Sequence, residues 1–282
     1  MRWQGRRKSR NVEDIRGRTV NRGRRGKAMG GGGMILLLII GLFFGQDVSN
    51  LLAPLLNNTQ QSYQAPPPAS IAQNDEAAQF VSVILAETED TWNAVFRNLG
   101  RQYQAPKLVL YSGRVESACG VNSSQSGPFY CPGDFKVYID LSFLHELRQM
   151  GAPGDFAFAY VIAHEVGHHI QNLVGIARDV RAQQSRANKA TANALSVRME
   201  LQADCLAGVW INHTEKRSRI LEEGDIEEGL AAAAAVGDDR LLRQAGRTVS
   251  REAFTHGSSR ERMQWFKQGM THGDIQTCNT FS

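Results

Sequence analysis

Residues 164–168 read His-Glu-Val-Gly-His, inside a run, AYVIAHEVGHHIQ (159–171), that carries three of the chain's seven histidines. Charged and imidazole groups set in an apolar run are costly unless something compensates them. A metal ion would. On a helix, positions 164 and 168 share one face a turn apart, so both imidazoles reach a common point, as two ligands of a tetrahedral zinc ion do. Glu165 lies next along the helix, where it can reach a water beside the metal without ligating the metal itself, the arrangement of a metalloprotease base. Val161, Ile162, Ala163, Val166, Gly167 and Ile170 are uncharged, as a helix buried behind a metal requires. Gly167 costs about 1 kcal/mol relative to Ala in a helix interior, which points to a close approach by another element.

Two histidines do not complete a catalytic site, because zinc takes three protein ligands there and leaves a fourth position for water. The longer pattern H-E-x-x-H-x-x-G-x-x-H does not continue, since residue 171 is Gln and 174 is Val. The run RMELQADCLAGVW offers Glu200 and Asp204 instead, four apart on one helical face among Leu201, Ala203, Leu206, Ala207, Val209 and Trp210. Glu200 is a candidate ligand, and Asp204 a candidate acceptor for the second N–H of a ligand histidine. The plain alternative is a solvated acidic face with Glu200 paired to Arg198. An oxyanion forming at the site needs a donor besides the metal. His256, just before a helix in THGSSRER, is the first candidate, with an exposed loop histidine as its alternative. Tyr138 is the second, on a strand whose edge could pair with an extended substrate. His169 faces about 100° away from His168 and reads as packing or as support behind the ligands. His145 in HELRQM begins like the motif without a second histidine, and His213 and His272 read as surface residues.

The elements that must position these groups are mostly helical. Asp75 opens a helix with Phe80, Val83, Ile84, Val95, Phe96 and Leu99 at helical spacing. KLVLYSG (107–113) and KVYIDLSF (136–143) read as strands. Asp155 can cap the helix that holds the histidines and ends near Gly175. A long helix is expected over 178–213. Asp225 with Glu228, and Ser258 with Glu261, have the spacing of capping boxes. Strands are few and do not alternate with helices, so the expected fold class is α+β.

Charge and composition divide the chain. Residues 1–33 hold eleven Lys/Arg against Glu13 and Asp14, a net +9, while the other 249 residues hold 21 basic and 26 acidic side chains, a net −5. A basic run of this kind suits nucleic acid, but Ala28–Gln46 then supplies 19 consecutive uncharged residues centred on MILLLIIGLFFG. At 1.5 Å per residue these match the roughly 30 Å hydrocarbon thickness of a bilayer. The expectation is therefore no nucleic acid partner. Residues 1–27 read as a basic cytoplasmic tail, 28–46 as an uncleaved transmembrane signal anchor and 47–73 as a polar, Pro-rich linker. Residues 74–282 read as the folded domain, exported across the cytoplasmic (inner) membrane by the positive-inside rule. Four cysteines fit an oxidising location. Cys119 and Cys131 flank a Gly/Ser/Pro-rich loop and read as a disulfide, with a metal clip as the rival. Cys205 and Cys278 remain as a second pair, or Cys205 as a buried free thiol.

AHEVGHHIQ followed by ELQADCLAG resembles the bacterial neutral zinc metallopeptidase family, and the likeness extends to MRWQGRRKSRNVEDIRG, SGPFYCPGDFKVYIDLSF and HGSSRERMQWFKQG. That resemblance implies a zincin-like domain with a site of the gluzincin type, Zn2+ as cofactor, His164, His168 and Glu200 as ligands and Glu165 as base. It implies a peptide or protein substrate. A zinc-stabilised scaffold or chaperone-like partner without proteolysis is the alternative.

Overall fold

The computed structural model describes residues 1–17 and 75–281, which belong to one compact unit. Strand β1 (Val12–Asp14) is followed, among the described residues, by helix α1 (Glu76–Asn98), whose N-cap Asp75 accepts the Ala78 N–H. Next come β2 (Lys107–Tyr111), the hairpin of β3 (Arg114–Ser117) and β4 (Gly120–Ser123), then β5 (Phe129–Cys131) and β6 (Lys136–Asp140). The remainder is helical: α2 (Phe143–Gln149), α3 (Asp155–Leu173), α4 (Ile176–Gln184), α5 (Lys189–Ser218), α6 (Asp225–Ala235), α7 (Asp238–Gln244) and α8 (Ser259–His272), ending in a 3-10 turn at Ile275–Cys278. The described residues are thus mainly helical with two small sheets.

The larger sheet has the order β1-β2-β6-β5, with β1, β2 and β6 parallel and β5 antiparallel at the edge. Side chains alternate across it as a strand requires. Leu108, Leu110, Val137 and Ile139 join the helical core, while Val109, Tyr111 and Tyr138 pack on the opposite face with Val115 and Cys131. Helix α3 runs through the centre, with Phe156, Phe158, Ile162 and Val166 fully buried. It approaches α5 at Gly167, where an added Cβ would lie 3.0 Å from the Ala203 carbonyl oxygen. The close approach read from Gly167 is there. Helices α5 and α8 meet backbone to backbone at Gly208 and Gly269.

Several local expectations change. The span 178–213 is two helices, broken between Gln184 and Lys189, where Asn188 caps α5 by accepting the Thr191 N–H. Gly154, not Asp155, is the N-cap of α3, and Gly224 stands before α6. Asp225 and Glu228 therefore form no box: Asp225 accepts the Glu222 N–H, and Glu228 accepts the Phe156 N–H at the start of α3. Ser258 and Glu261 do form one. Both cysteine pairs are disulfides, Cys119–Cys131 and Cys205–Cys278, so Cys205 is not a free thiol.

The largest correction concerns location. Residues 28–46 lie outside the described residues, and no helix among the described residues is long and apolar enough to cross a membrane. The expected topology, with the N-terminus in the cytoplasm and the domain outside, fails on the sheet itself. Val12, Glu13 and Asp14 pair in parallel with Leu108, Val109 and Leu110. Ser9 donates its N–H to Ser82 at 2.9 Å, Arg6 and Arg7 pair with Glu87 and Glu89, and Met1 and Trp3 are buried. A single crossing between residues 17 and 75 would put a bilayer between strands that share hydrogen bonds. Arg6 and Arg7 are met instead by Glu87, Glu89 and Asp90 of α1.

Candidate metal centre

Three side chains converge between α3 and α5. His164 Nε2 lies 3.2 Å from one Glu200 carboxylate oxygen and His168 Nε2 lies 3.3 Å from the other. One ligand atom from each of the three residues falls within 4.8 Å of the others. The histidines meet because they are one turn apart on α3, and Glu200 reaches them because the Gly167–Ala203 contact brings α5 against that face. His164 and Glu165 are 6% and 7% exposed.

The opposite ring nitrogens are committed. His164 Nδ1 donates to Asp204 Oδ1 at 2.8 Å, and His168 Nδ1 lies 2.8 Å from Gln171 Oε1. Asp204 is fully buried. It also accepts the Tyr160 hydroxyl and a two-pronged contact from Arg262, at 2.8 and 2.9 Å. With each Nδ1 carrying the ring proton, two Nε2 lone pairs face the Glu200 oxygens, acceptor against acceptor in a poorly solvated space. Only a cation or added protons satisfy that geometry. Electrostatics agree: with the carboxylates ionised, Glu165, Glu200, Asp204 and Arg262 sum to −2 beside two neutral histidines, the charge a zinc ion cancels. Burial pulls His164 down, but Asp204 and Glu200 outweigh it and hold the imidazole up at about 10. His168 is raised likewise by Glu200 against its burial. Glu200 is held well below the usual carboxylate range, since both histidines overcome its desolvation. Burial pushes Glu165 up, with the two histidines opposing. The donor set, two imidazoles and one carboxylate, suits zinc and fits it here.

A second acidic cluster, Asp155, Asp225 and Glu228, could also hold a cation. The α-amino group at Met1 already sits there, 3.0 Å from Asp155 and 3.3 Å from Asp225.

The three converging residues open onto a cleft of about 470 Å3, walled by Phe129, Tyr130, Phe143, Val161, Val236 and Leu241. Glu165 and His256 also line it. The His256 side chain is half exposed (51%), and Asp238 Oδ1 lies 3.2 Å from its Nδ1. Asp238 further accepts the backbone N–H groups of Thr255, His256 and Gly257, at 2.7, 2.6 and 3.0 Å, which fixes the loop. The hydrogen bond to Asp238 raises the His256 pKa against partial burial. Asp238 is lowered despite its own burial.

Tyr138 does not join this group. It lies on β6, which is enclosed by β2 and β5 and has no free edge; its hydroxyl donates to Asp134 at 2.7 Å and its ring stacks on Phe129. The edge strand beside it is β5, with β1 at the opposite edge. His169 is fully buried, and burial lowers its pKa to about 4. Its Nε2–H donates to Gln104 O at 2.6 Å while Nδ1 accepts from the Tyr130 hydroxyl at 3.1 Å, which ties β5 to α3. Arg262, Asp238 and Gln171 were not legible beforehand. Arg262 had left a signal: it begins the buried stripe Arg262, Phe266, Gly269 at i, i+4, i+7, and an arginine at a core position calls for a buried anion.

Comparison with known proteins agrees with this geometry. The chain is 50% identical to YpfJ of Escherichia coli (strain K12), described as uncharacterized, over 289 residues that span 100% of this chain and 99% of that protein. It is 43% identical to the uncharacterized Mb2605 of Mycobacterium bovis and Rv2575 of Mycobacterium tuberculosis over 218 residues, 73% of each chain. No solved structure matches it. The family described as "Putative neutral zinc metallopeptidase" matches residues 1–281, and the chain, with its paired Nε2 atoms and facing glutamate, belongs to that family.

Proposed function

We propose that the protein is a zinc endopeptidase of the gluzincin type, with His164, His168 and Glu200 holding the metal and Glu165 as general base. The observation that carries this reading is the arrangement of both Nε2 atoms at 3.2 and 3.3 Å from Glu200, with both Nδ1 atoms engaged behind them. When bound, zinc supplies Lewis acidity, acidifying a water and polarising a carbonyl. Glu165, raised by burial, is suited to take the water's proton and return it to the leaving amine, as base and then acid. His256, held at Nδ1 by Asp238, is suited to offer its Nε2–H to the carbonyl oxygen as charge develops there. An extended peptide can lie along β5, and the apolar walls exclude water from the reacting bond.

The test uses the full chain, since residues 1–17 are part of the folded unit. Bound zinc and peptide-library cleavage are measured together for the unsubstituted chain, Glu165→Gln and Glu200→Ala. Glu165→Gln is expected to keep zinc and lose cleavage, and Glu200→Ala to lose zinc affinity. Full cleavage by Glu165→Gln would sink the mechanism, and zinc without cleavage in the unsubstituted chain would favour a structural, scaffold role.

A further inference from the structure

Behind His168 lies a chain of hydrogen bonds whose directions are forced from its far end. The carbonyl of Cys278 can only accept, so the Gln202 Nε2, at 3.0 Å, donates to it. Gln202 Oε1 is then the atom that faces Gln171, and it accepts from Gln171 Nε2 at 3.0 Å. The second N–H of the same Gln171 nitrogen goes to the Met199 carbonyl at 2.7 Å. Both amide hydrogens of Gln171 are thereby used. Its Oε1 must face His168 Nδ1, at 2.8 Å, and there it can only accept. Turning the Gln171 amide over would set its oxygen against two acceptors. The orientation of a glutamine amide is ordinarily ambiguous, but here two backbone carbonyls decide it. Gln171 is fully buried and Gln202 is 6% exposed, so water offers no ready substitute.

We infer that Gln171 is a positioning residue that holds His168 as the Nδ1–H tautomer with Nε2 bare toward Glu200, and that Gln202 and the Cys278 carbonyl lock it in that role. The Cys205–Cys278 disulfide pins the carbonyl to α5, so the C-terminal turn helps set the tautomer of a ring 110 residues earlier. Asp204 does the equivalent for His164, as a charged acceptor rather than a neutral one.

This inference rests on the metallopeptidase reading, and the experiment separates the two. Zinc dissociation constants are measured by competition with a chromophoric chelator on the full chain, alongside the visible spectrum of the cobalt-substituted protein. Gln171→Met keeps the volume and removes the acceptor; it should weaken zinc binding by about 10- to 100-fold, the usual effect of losing a partner behind a ligand, and alter the cobalt spectrum. In the double variant Gln171→Met/Gln202→Met the second substitution should add little further loss, because Gln202 reaches His168 only through Gln171; a merely space-filling role would give independent, additive losses. Unchanged affinity in Gln171→Met, or additive losses in the double variant, overturns the inference. Should Gln171→Met fail to fold, Gln202→Met carries the test: it leaves Gln171 in place and removes one of the two acceptors that orient its amide, so weakened binding supports the inference and unchanged binding overturns it. No zinc binding by the unsubstituted chain removes the metallopeptidase reading and this inference together.

Discussion

Gly269→Ala is the substitution that most directly probes how the centre is held. A Cβ at Gly269 would lie 1.9 Å from the Cys205 carbonyl oxygen, 2.8 Å from its carbon and 2.9 Å from Val209 N. Ordinary carbon–oxygen approach is about 3.4 Å, so α8 would have to retreat by roughly 1.5 Å. All three obstacles are backbone, and no rotamer change relieves them. Retreat would loosen Trp210 and Phe266, both fully buried. It would also lengthen the contact of Arg262, two turns before Gly269 on the same face, with Asp204. Overpacking of a core costs about 1–3 kcal/mol, and a rigid backbone clash belongs at the top of that range, so about 3 kcal/mol is expected. That is a large share of a total stability of about 5–15 kcal/mol. Urea unfolding of the zinc-free protein measures it, with exposed Lys267→Ala as a control expected within about 0.5 kcal/mol. Zinc affinity should fall in Gly269→Ala and not in the control. A loss below about 1 kcal/mol would refute the claim that this crossing is a tight backbone contact.

Residues 1–17 should be needed for stability. Burial of Met1 and Trp3 stabilises by about 1.5–3 kcal/mol each, and at about 2–4 °C per kcal/mol a chain beginning at Asn74 should melt roughly 10 °C lower; an unchanged Tm would contradict the docking of β1. The Asp238–His256 pair predicts a pH window. The Asp238 pKa is lowered from 3.8, so its contribution is present above that value and lost as pH falls through the lowered one; the His256 pKa is raised from 6.5, so its contribution is present below 6.5 and lost as pH rises through the raised one. The stability difference between the unsubstituted chain and His256→Gln should therefore peak between about pH 4 and 6.5, and a flat difference would exclude the pair. The cleft walls predict that peptides with Leu or Phe beside the cleaved bond are preferred over Asp or Lys, and that Leu241→Asp lowers kcat/KM for the apolar ones by about 10-fold or more; equal rates on both classes would rule this out.

What could be read beforehand was what depends on spacing within one element. His164, Glu165 and His168 are local to a single helical turn, and Glu200 and Asp204 repeat that spacing on a second apolar helix. The strands read at 107–113 and 136–143, which span 107–111 and 136–140 in the structure, the α1 cap at Asp75 and the Ser258–Glu261 box are likewise local. Distant partners were not legible. Arg262 answers Asp204 from 58 residues away, Asp238 answers His256 across 18, and Gln202 and the Cys278 carbonyl reach His168 only through Gln171. Arg6 and Arg7 read as part of a basic cytoplasmic tail because their counter-charges, Glu87 and Glu89, lie about 80 residues on. The amino-acid sequence by itself determined which groups can bind a metal, since helical periodicity orients neighbours without help. Only the tertiary structure decided which nitrogen each histidine presents, which strand is the edge and where residues 1–17 belong, because a hydrogen bond's direction and a strand's neighbour are set by groups that folding alone brings together.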